Sequence, residues 1–233
     1  MRIFVAPELL RAGELTVADD HHHYLARVRR ARAGDPVELV DGAGRRAAAT
    51  IVRIGENATV MSVSAPEEVA ARLPFIRALV PLIKGDRMDS CIEKLVEVGV
   101  DAIVLWPAAR SVVRLEPERR AGRLAKYQLA VQAAARQCGR AQLPALSWAD
   151  DLGSAIRAVP PGLQLVLDPA CDDELTGPIP DDVTIVSGPE GGLAPGELEQ
   201  LRTFRSVGLG PRVLRAETAP MVAIALIRAL TRS

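Results

Sequence analysis

The spacing of apolar positions along this chain changes between residues 66 and 75. Before that point they alternate with polar residues or come in short runs; after it, short apolar runs alternate with stretches of helical period. In the first part, Arg2-Ile3-Phe4-Val5 alternates as a half-buried strand does. Asp35 to Gly42 reads as a strand closed by the turn pair Asp41-Gly42, and Arg46 to Ile54 and Ala58 to Val63 flank the turn Gly55-Glu56-Asn57. Between the first strand and these, the stretch Asp20 to Gly34 predicts a short helix capped by Asp20. Leu25 and Val28 form its inward face, and Arg27, Arg29, Arg30 and Arg32 crowd one end. Several short strands with one helix predict a small β-barrel. Pro66 to Pro74 is polar and bracketed by prolines, as linkers are. Beyond it, Ile76 to Ile83 is mostly apolar, the pattern of a strand buried on both faces. Asp86 is placed to cap a helix with Met88, Ile92, Leu95 and Val96 on one face, and Gly99 is placed to stop it. Ala102 to Trp106, Leu163 to Leu167 and Val183 to Ser187 predict further strands, and Glu118 to Cys138 a long helix. A last helix, Ala219 to Leu230, is apolar nearly all round, which predicts burial in the core or at a dimer seam. This alternation predicts an α/β fold with a parallel sheet over residues 75–233, preceded by a β-rich domain over residues 1–70.

Composition adds some exclusions. The chain is 48% hydrophobic and 25% charged, with a formal net charge of +0, so no global basic field marks a nucleic-acid partner. Its lysines are Lys84, Lys94 and Lys126, and its other basic residues are arginines. A guanidinium suits phosphates and base edges, although a genomic preference for arginine codons gives the same composition. Aromatic residues make up 3%, which argues against extended base stacking. Cys91, Cys138 and Cys171 are far apart and fit neither a zinc site nor a disulfide framework. His21, His22 and His23 do not converge on one ion, because neighbours on a helix point about 100° apart. A solvated helix start is expected there, and no metal. The first residues lack the apolar core of a signal peptide, and the apolar C-terminal run is too short to span a bilayer, so a soluble cytoplasmic protein is expected.

The candidate chemistry lies between Val183 and Ala219. An apolar strand leads into Gly188-Pro189-Glu190-Gly191-Gly192, and a second glycine turn, Gly208 to Arg212, precedes a helix entrance at Glu217-Thr218. Glycines after a buried strand let backbone groups approach a ligand closely, at the strand ends where α/β sheets bind ligands. The loops match neither a dinucleotide fingerprint nor a P-loop. Backbone groups with one carboxylate suit a neutral or cationic ligand, such as an adenosine with a sulfonium tail; a plain structural turn is the other reading.

Six blocks carry a resemblance: Lys84-Gly85-Asp86-Arg87-Met88, Glu97 to Val100, Arg110-Ser111-Val112, Gln137 to Arg140, Gly188 to Gly192, and Leu209 to Ala219. In this order they resemble the RsmE family, the ribosomal RNA small-subunit methyltransferase E group of the SPOUT superfamily. His23 to Arg30, Ala33-Gly34-Asp35 and Asp41-Gly42 resemble its N-terminal domain. The resemblance implies a PUA-like RNA-binding barrel followed by an α/β SPOUT methyltransferase domain with a deep trefoil knot. It implies a homodimer that uses S-adenosylmethionine to methylate N3 of one uridine in 16S ribosomal RNA within the small subunit. Carried over by position, the cofactor pocket is expected from Leu167, Gly188, Pro189, Glu190, Gly191, Leu209, Gly210, Leu214, Ala216 and Thr218, with Gly191 admitting the cofactor close to its backbone. Arg110 and Arg140 fall on recurring arginines of the family and are expected to face the target nucleotide. Glu217 is the candidate general base, with Arg110, Arg140 or Arg215 stabilising the uracil anion; a carboxylate favoured by the helix dipole is the alternative for Glu217. The chain departs from the family pattern at Ala216, often Thr; at Ala194-Pro195-Gly196, where a Ser-type cap is common; and at Pro220. Two other readings are a SPOUT enzyme acting on another RNA such as transfer RNA, and a non-catalytic RNA-binding assembly factor. The second predicts damaged knot loops, and both loops are intact. The Arg27 to Arg32 cluster is either an RNA contact or a solvated face. If it binds RNA, neutralising Arg27, Arg29, Arg30 and Arg32 together weakens RNA binding and flattens its salt dependence, as titrations at several salt concentrations will show.

Overall fold

The computed structural model describes residues 1–113 and 115–231. They cluster into two units, residues 1–71 with 135–143, and residues 72–134 with 144–233.

The N-terminal unit is built on β1 (Arg2–Phe4), β2 (Gly13–Ala18), β3 (Pro36–Val40), β4 (Arg45–Ile54), β5 (Ala58–Val63) and β6 (Glu67–Glu68). The sheet order is β1-β3-β4-β5-β2, with β6 paired to β4. β1 runs parallel to β3, and the other pairings are antiparallel. Alternate residues point to one core: Leu15 and Val17, Val37 and Leu39, Ala47, Ala49 and Ile51, Met61 and Val63. β2 carries only two apolar side chains at alternate positions, too weak a pattern to predict a strand.

The segment after β2 differs from the sequence expectation. α1 (Asp19–His23) starts after Ala18, so Asp20 lies inside its first turn and caps nothing. One turn of π-helix follows, Tyr24–Val28, in which the Arg29 N–H donates to the Tyr24 carbonyl at 2.8 Å. The wider winding swings residue 28 off the face that residue 25 occupies. Leu25 is therefore fully buried while Val28 is 59% exposed. His22 is not solvated either. It is buried, with Nδ1 2.9 Å from Thr59 Oγ1 and Nε2 3.1 Å from the Glu56 carbonyl oxygen. His21 meets the Phe4 carbonyl and His23 is exposed, so the three rings diverge.

The C-terminal unit alternates β7 (Phe75–Pro81), α2 (Asp86–Val98), β8 (Ala102–Trp106), α3 (Pro117–Cys138) and β9 (Ala145–Trp148). These are followed by α4 (Leu152–Arg157), β10 (Leu163–Leu167), β11 (Asp182–Val186), α5 (Pro195–Gln200), β12 (Arg205–Val207) and α6 (Ala219–Leu230). The last residues of α3 cluster with the N-terminal unit. The sheet order is β12-β10-β11-β7-β8-β9, and every neighbouring pair is parallel. Its central strands are buried along their length, Ile76 to Val80 in β7 and Val183 to Val186 in β11, which is why they read as apolar runs. α2 begins at Asp86 itself, with Gly85 as the N-cap at φ 67 and no side-chain cap bond. Asp86 thus acts on the helix dipole from the first turn and is not the cap. Gly99 ends α2 in the left-handed region at φ 99, a conformation that costs glycine little.

α6 is buried along one face, with Ala223, Ile224 and Ile227 inside and Leu226 and Leu230 partly exposed, so it is not buried all round. At the C-terminal end of the buried face sits Arg228. Its guanidinium donates to Gly99 O at 2.6 Å, Pro74 O at 2.6 Å and Asp101 Oδ2 at 2.6 Å. Asp101 also accepts from the Ile76 N–H at 2.9 Å. One side chain therefore joins α6 to the start of β7 and to the turn between α2 and β8. Replacing it removes the donor shared by the Asp101 carboxylate and the Gly99 and Pro74 carbonyls and leaves a gap in the buried face of α6. Arg228→Ala is expected to cost about 3 kcal/mol and to lower the melting temperature by roughly 10 °C, measured by calorimetry.

Candidate functional site

Parallel strands place all their carboxyl ends on one edge of the sheet, and ligands collect there. β10 ends in Leu167-Asp168-Pro169, β11 in Ser187-Gly188-Pro189-Glu190, and β12 leads to Leu209-Gly210. These three exits and the approach to α6 enclose a cavity of about 570 Å³, within the usual range for small-molecule sites. Of the residues expected from sequence, Leu167, Gly188, Pro189, Glu190, Leu209, Gly210, Leu214 and Ala216 line it. Gly191 and Thr218 are not part of that lining. A Cβ on Gly191 would lie 3.1 Å from Arg110 Cβ and 3.2 Å from Arg110 O. This glycine makes room for the Arg110 segment, which packs where a side chain would stand. Thr218 stands at the entrance of α6, its N–H donating to Arg215 O at 2.9 Å. Gly208 lies under the β10 exit loop: its N–H donates to Asp173 O at 2.9 Å, and a Cβ there would fall 2.0 Å from Cys171 O.

Among the lining residues not read as site residues in the sequence, Ser187 and Arg87 carry chemistry. Ser187, the last residue of the β11 apolar run, is 1% exposed, and its hydroxyl has no hydrogen-bond partner in the protein. Such a group loses its hydration with nothing in return unless a ligand supplies the bond. Arg87 belongs to the block at residues 84–88, where it passes for a solvated helix start. Its Nη2 lies 2.9 Å from Glu190 Oε1 and its Nη1 3.8 Å from Glu217 Oε2. That Glu217 oxygen is buried and accepts no hydrogen bond. Arg87 thus couples the carboxylate of the glycine loop to the candidate base. Cys91 lies one turn further along α2; burial first, and then the charge of Glu217, push its thiol up to about 12. It stays protonated at neutral pH and is packing, not a nucleophile.

Arg110 is exposed and donates from Nη1 to Gly191 O at 3.3 Å and Leu193 O at 3.4 Å, so it lies on the glycine loop. Arg140 belongs to the N-terminal unit, where its Nε donates to Gln142 O at 3.2 Å. Arg27, Arg29, Arg30 and Arg32 are all exposed, with Arg29 over the Tyr24 ring at 5.9 Å. α5 explains how Ala194 serves as an N-cap without a side-chain acceptor. Buried Glu197 reaches back, accepting from the Ala194 N–H at 2.7 Å and from the Ala109 N–H at 2.8 Å. This is the reciprocal half of a capping box, and it also fixes the segment that carries Arg110. Among the described residues, no group of three or more His, Cys, Asp or Glu is placed to hold a metal ion. No described helix is long and apolar enough to cross a membrane.

A parallel sheet with a glycine-walled cavity at its carboxyl edge matches a defined class. The RNA methyltransferase domain family matches residues 71–228, and the RNA methyltransferase PUA domain family matches residues 18–59. Ribosomal RNA small subunit methyltransferase E of Mycobacterium tuberculosis is 32% identical, over 98% of this chain and 92% of its own length. The protein of the same name from Synechocystis is 30% identical, over 100% and 78%. The crystal structure of a ribosomal RNA small subunit methyltransferase E from Neisseria gonorrhoeae bound to S-adenosyl methionine superposes with a TM-score of 0.84 at 29% identity, covering 99% of this chain and 97% of that one. The chain belongs to the ribosomal RNA small subunit methyltransferase E family.

Removing the carboxylate of Glu197 leaves two backbone N–H groups without their acceptor. Glu197→Ala is expected to lower stability by about 2 kcal/mol in urea unfolding, and to raise proteolytic cleavage next to Arg110.

Proposed function

We propose that this protein transfers a methyl group from S-adenosylmethionine to N3 of one uridine of 16S ribosomal RNA in the small ribosomal subunit. In this reading the C-terminal unit is a SPOUT-type domain whose loops after β10 and β12 are parts of a trefoil knot. The N-terminal unit is a PUA-like barrel that engages RNA, and the enzyme acts as a cytoplasmic homodimer. The close seating of Gly208 under the Cys171 carbonyl supports the interlocked loops. The observation that carries the reading is the cavity at the carboxyl edge, with its glycine walls and an unpartnered buried hydroxyl.

The residues present suit that cofactor. Leu167, Leu209, Leu214 and Ala216 offer apolar walls, and the main chain at Gly188, Pro189 and Gly210 is open to close approach. Ser187 Oγ is free to bond a polar edge of a nucleoside. Glu190 and Glu217 share one guanidinium, Arg87, which holds two carboxylates close to where a cationic sulfonium would sit. When bound, S-adenosylmethionine supplies an activated methyl group, so the protein's task is alignment and handling of one proton. A uridine N3–H is neutral at pH 7 and must lose its proton. Glu217, held by Arg87, is the group to take it. Arg110, poised on the glycine loop, steadies the negative charge on the uracil oxygen.

The test is methyl transfer from labelled S-adenosylmethionine to small subunits lacking the modification, with naked 16S RNA and transfer RNA alongside. Label at uridine N3 in subunits is expected; label in transfer RNA instead overturns the target, and no label despite cofactor binding overturns the enzyme. Glu217→Gln is expected to cut turnover roughly a hundredfold or more with cofactor affinity near normal in calorimetric titration. Full activity in that variant removes Glu217 from the base role.

A further inference from the structure

The N-terminal unit carries a cleft of its own, about 610 Å³ in volume, lined among others by Arg2, Arg46, Arg136, Glu38 and Glu67. Three guanidinium groups face two carboxylates, so the cleft is positive. Each arginine is held in place. Arg2 Nε donates to Glu38 Oε2 at 2.6 Å, and Arg46 Nε donates to Glu67 Oε1 at 2.6 Å. Arg136 lies over the Tyr24 ring at 5.3 Å. Two guanidinium nitrogens of this set, Arg2 Nη1 and Arg136 Nε, are buried and have no acceptor in the protein. A buried N–H of a cation without an acceptor is costly, and an anion at the accessible part of the same arginines, 18% exposed at Arg2 and 47% at Arg46, offsets the charge held there. Tyr24 also carries Arg29 over its ring at 5.9 Å, so one aromatic ring is shared by an arginine of the cleft and one of the exposed arginine segment.

We propose that this cleft is a binding site for a backbone phosphate of RNA, separate from the cofactor cavity. Fixed guanidinium forks fit a phosphodiester, which offers two charged oxygens. The match of residues 18–59 to an RNA methyltransferase PUA domain makes RNA the source of that phosphate. The inference rests on the RNA-directed reading above for its partner, and its test reads RNA binding and not methyl transfer.

The experiment uses the full chain and transcribed 16S RNA as probe, titrated by fluorescence anisotropy over a range of salt concentrations. Three variants are compared with the parent: Arg46→Gln with Arg136→Gln, Arg136→Lys, and Ala48→Glu. The last places a carboxylate at an exposed position in the cleft lining without touching the arginines. The double variant and Ala48→Glu are expected to weaken RNA binding roughly three- to tenfold and to lower the slope of log K against log salt by about 1 to 2. Arg136→Lys keeps the charge and is expected to hold most of the slope. S-adenosylmethionine affinity is expected to match the parent in all three. Parental RNA affinity and slope in both the double variant and Ala48→Glu overturn the site. Loss of cofactor binding along with RNA binding overturns it too, because the variants then damage the fold. A parent that binds RNA but methylates none overturns the reading of the previous section, while the slope comparison still decides this one.

Discussion

The parallel run of the C-terminal sheet is the constraint on which the rest depends. It sends the exits of β10, β11 and β12 to one edge, where all three border the same cavity. With antiparallel neighbours those exits would alternate between two edges and no common cavity would form. Parallel strands must be buried on both faces, and α2 and α6 supply part of that cover. Arg228 then ties the cover to the sheet through the Gly99 and Pro74 carbonyls and Asp101. A helix that looks like a plain apolar plug is thus fixed by a single polar side chain in its buried face.

The same economy holds at the cavity. Arg87 and Cys91 stand one helical turn apart on α2, and Glu217 meets both. The pairing keeps one carboxylate oriented beside a thiol that remains uncharged, so Cys91 adds nothing to the local charge. On the opposite side, Glu197 does for α5 what a serine cap does elsewhere and secures the backbone at Ala109 at the same time. The departure from a Ser-type cap is compensated three residues downstream.

Much of this was legible in the sequence, for physical reasons that can be named. The buried strands at 102–106 and 163–167 and the helix at 219–230 lie where the apolar pattern puts them, because full burial leaves little freedom in residue choice. The cavity walls at Leu167, Gly188, Glu190, Leu209 and Leu214 were legible through the resemblance to the family, since the glycine turns alone fit a plain structural turn as well. What was not legible depends on contacts distant in sequence. That Gly191 makes room for the Arg110 segment shows only once the two are folded together, about eighty residues apart in the chain. His22 looks solvated until β5 brings Thr59 to its ring. Val28 left the inward face because the backbone winds wider there than an α-helix, and no side-chain pattern announces that. Arg87 carried no signal of its own, since its two partners lie about a hundred residues or more further along the chain.

Gly208 has a wider meaning than its size suggests. The Cys171 carbonyl occupies the place where any side chain at 208 would begin. Two walls of the cavity, remote in sequence, are therefore registered against each other to within the width of a methyl group. Drift at this codon is closed even to alanine, although the residue touches no ligand and sits in no hydrophobic core. A variant catalogue of this protein would show an intolerant position whose cause is steric interlock between loops, and substitutions at 208 would disturb the cavity's shape before they disturbed the sheet beneath it.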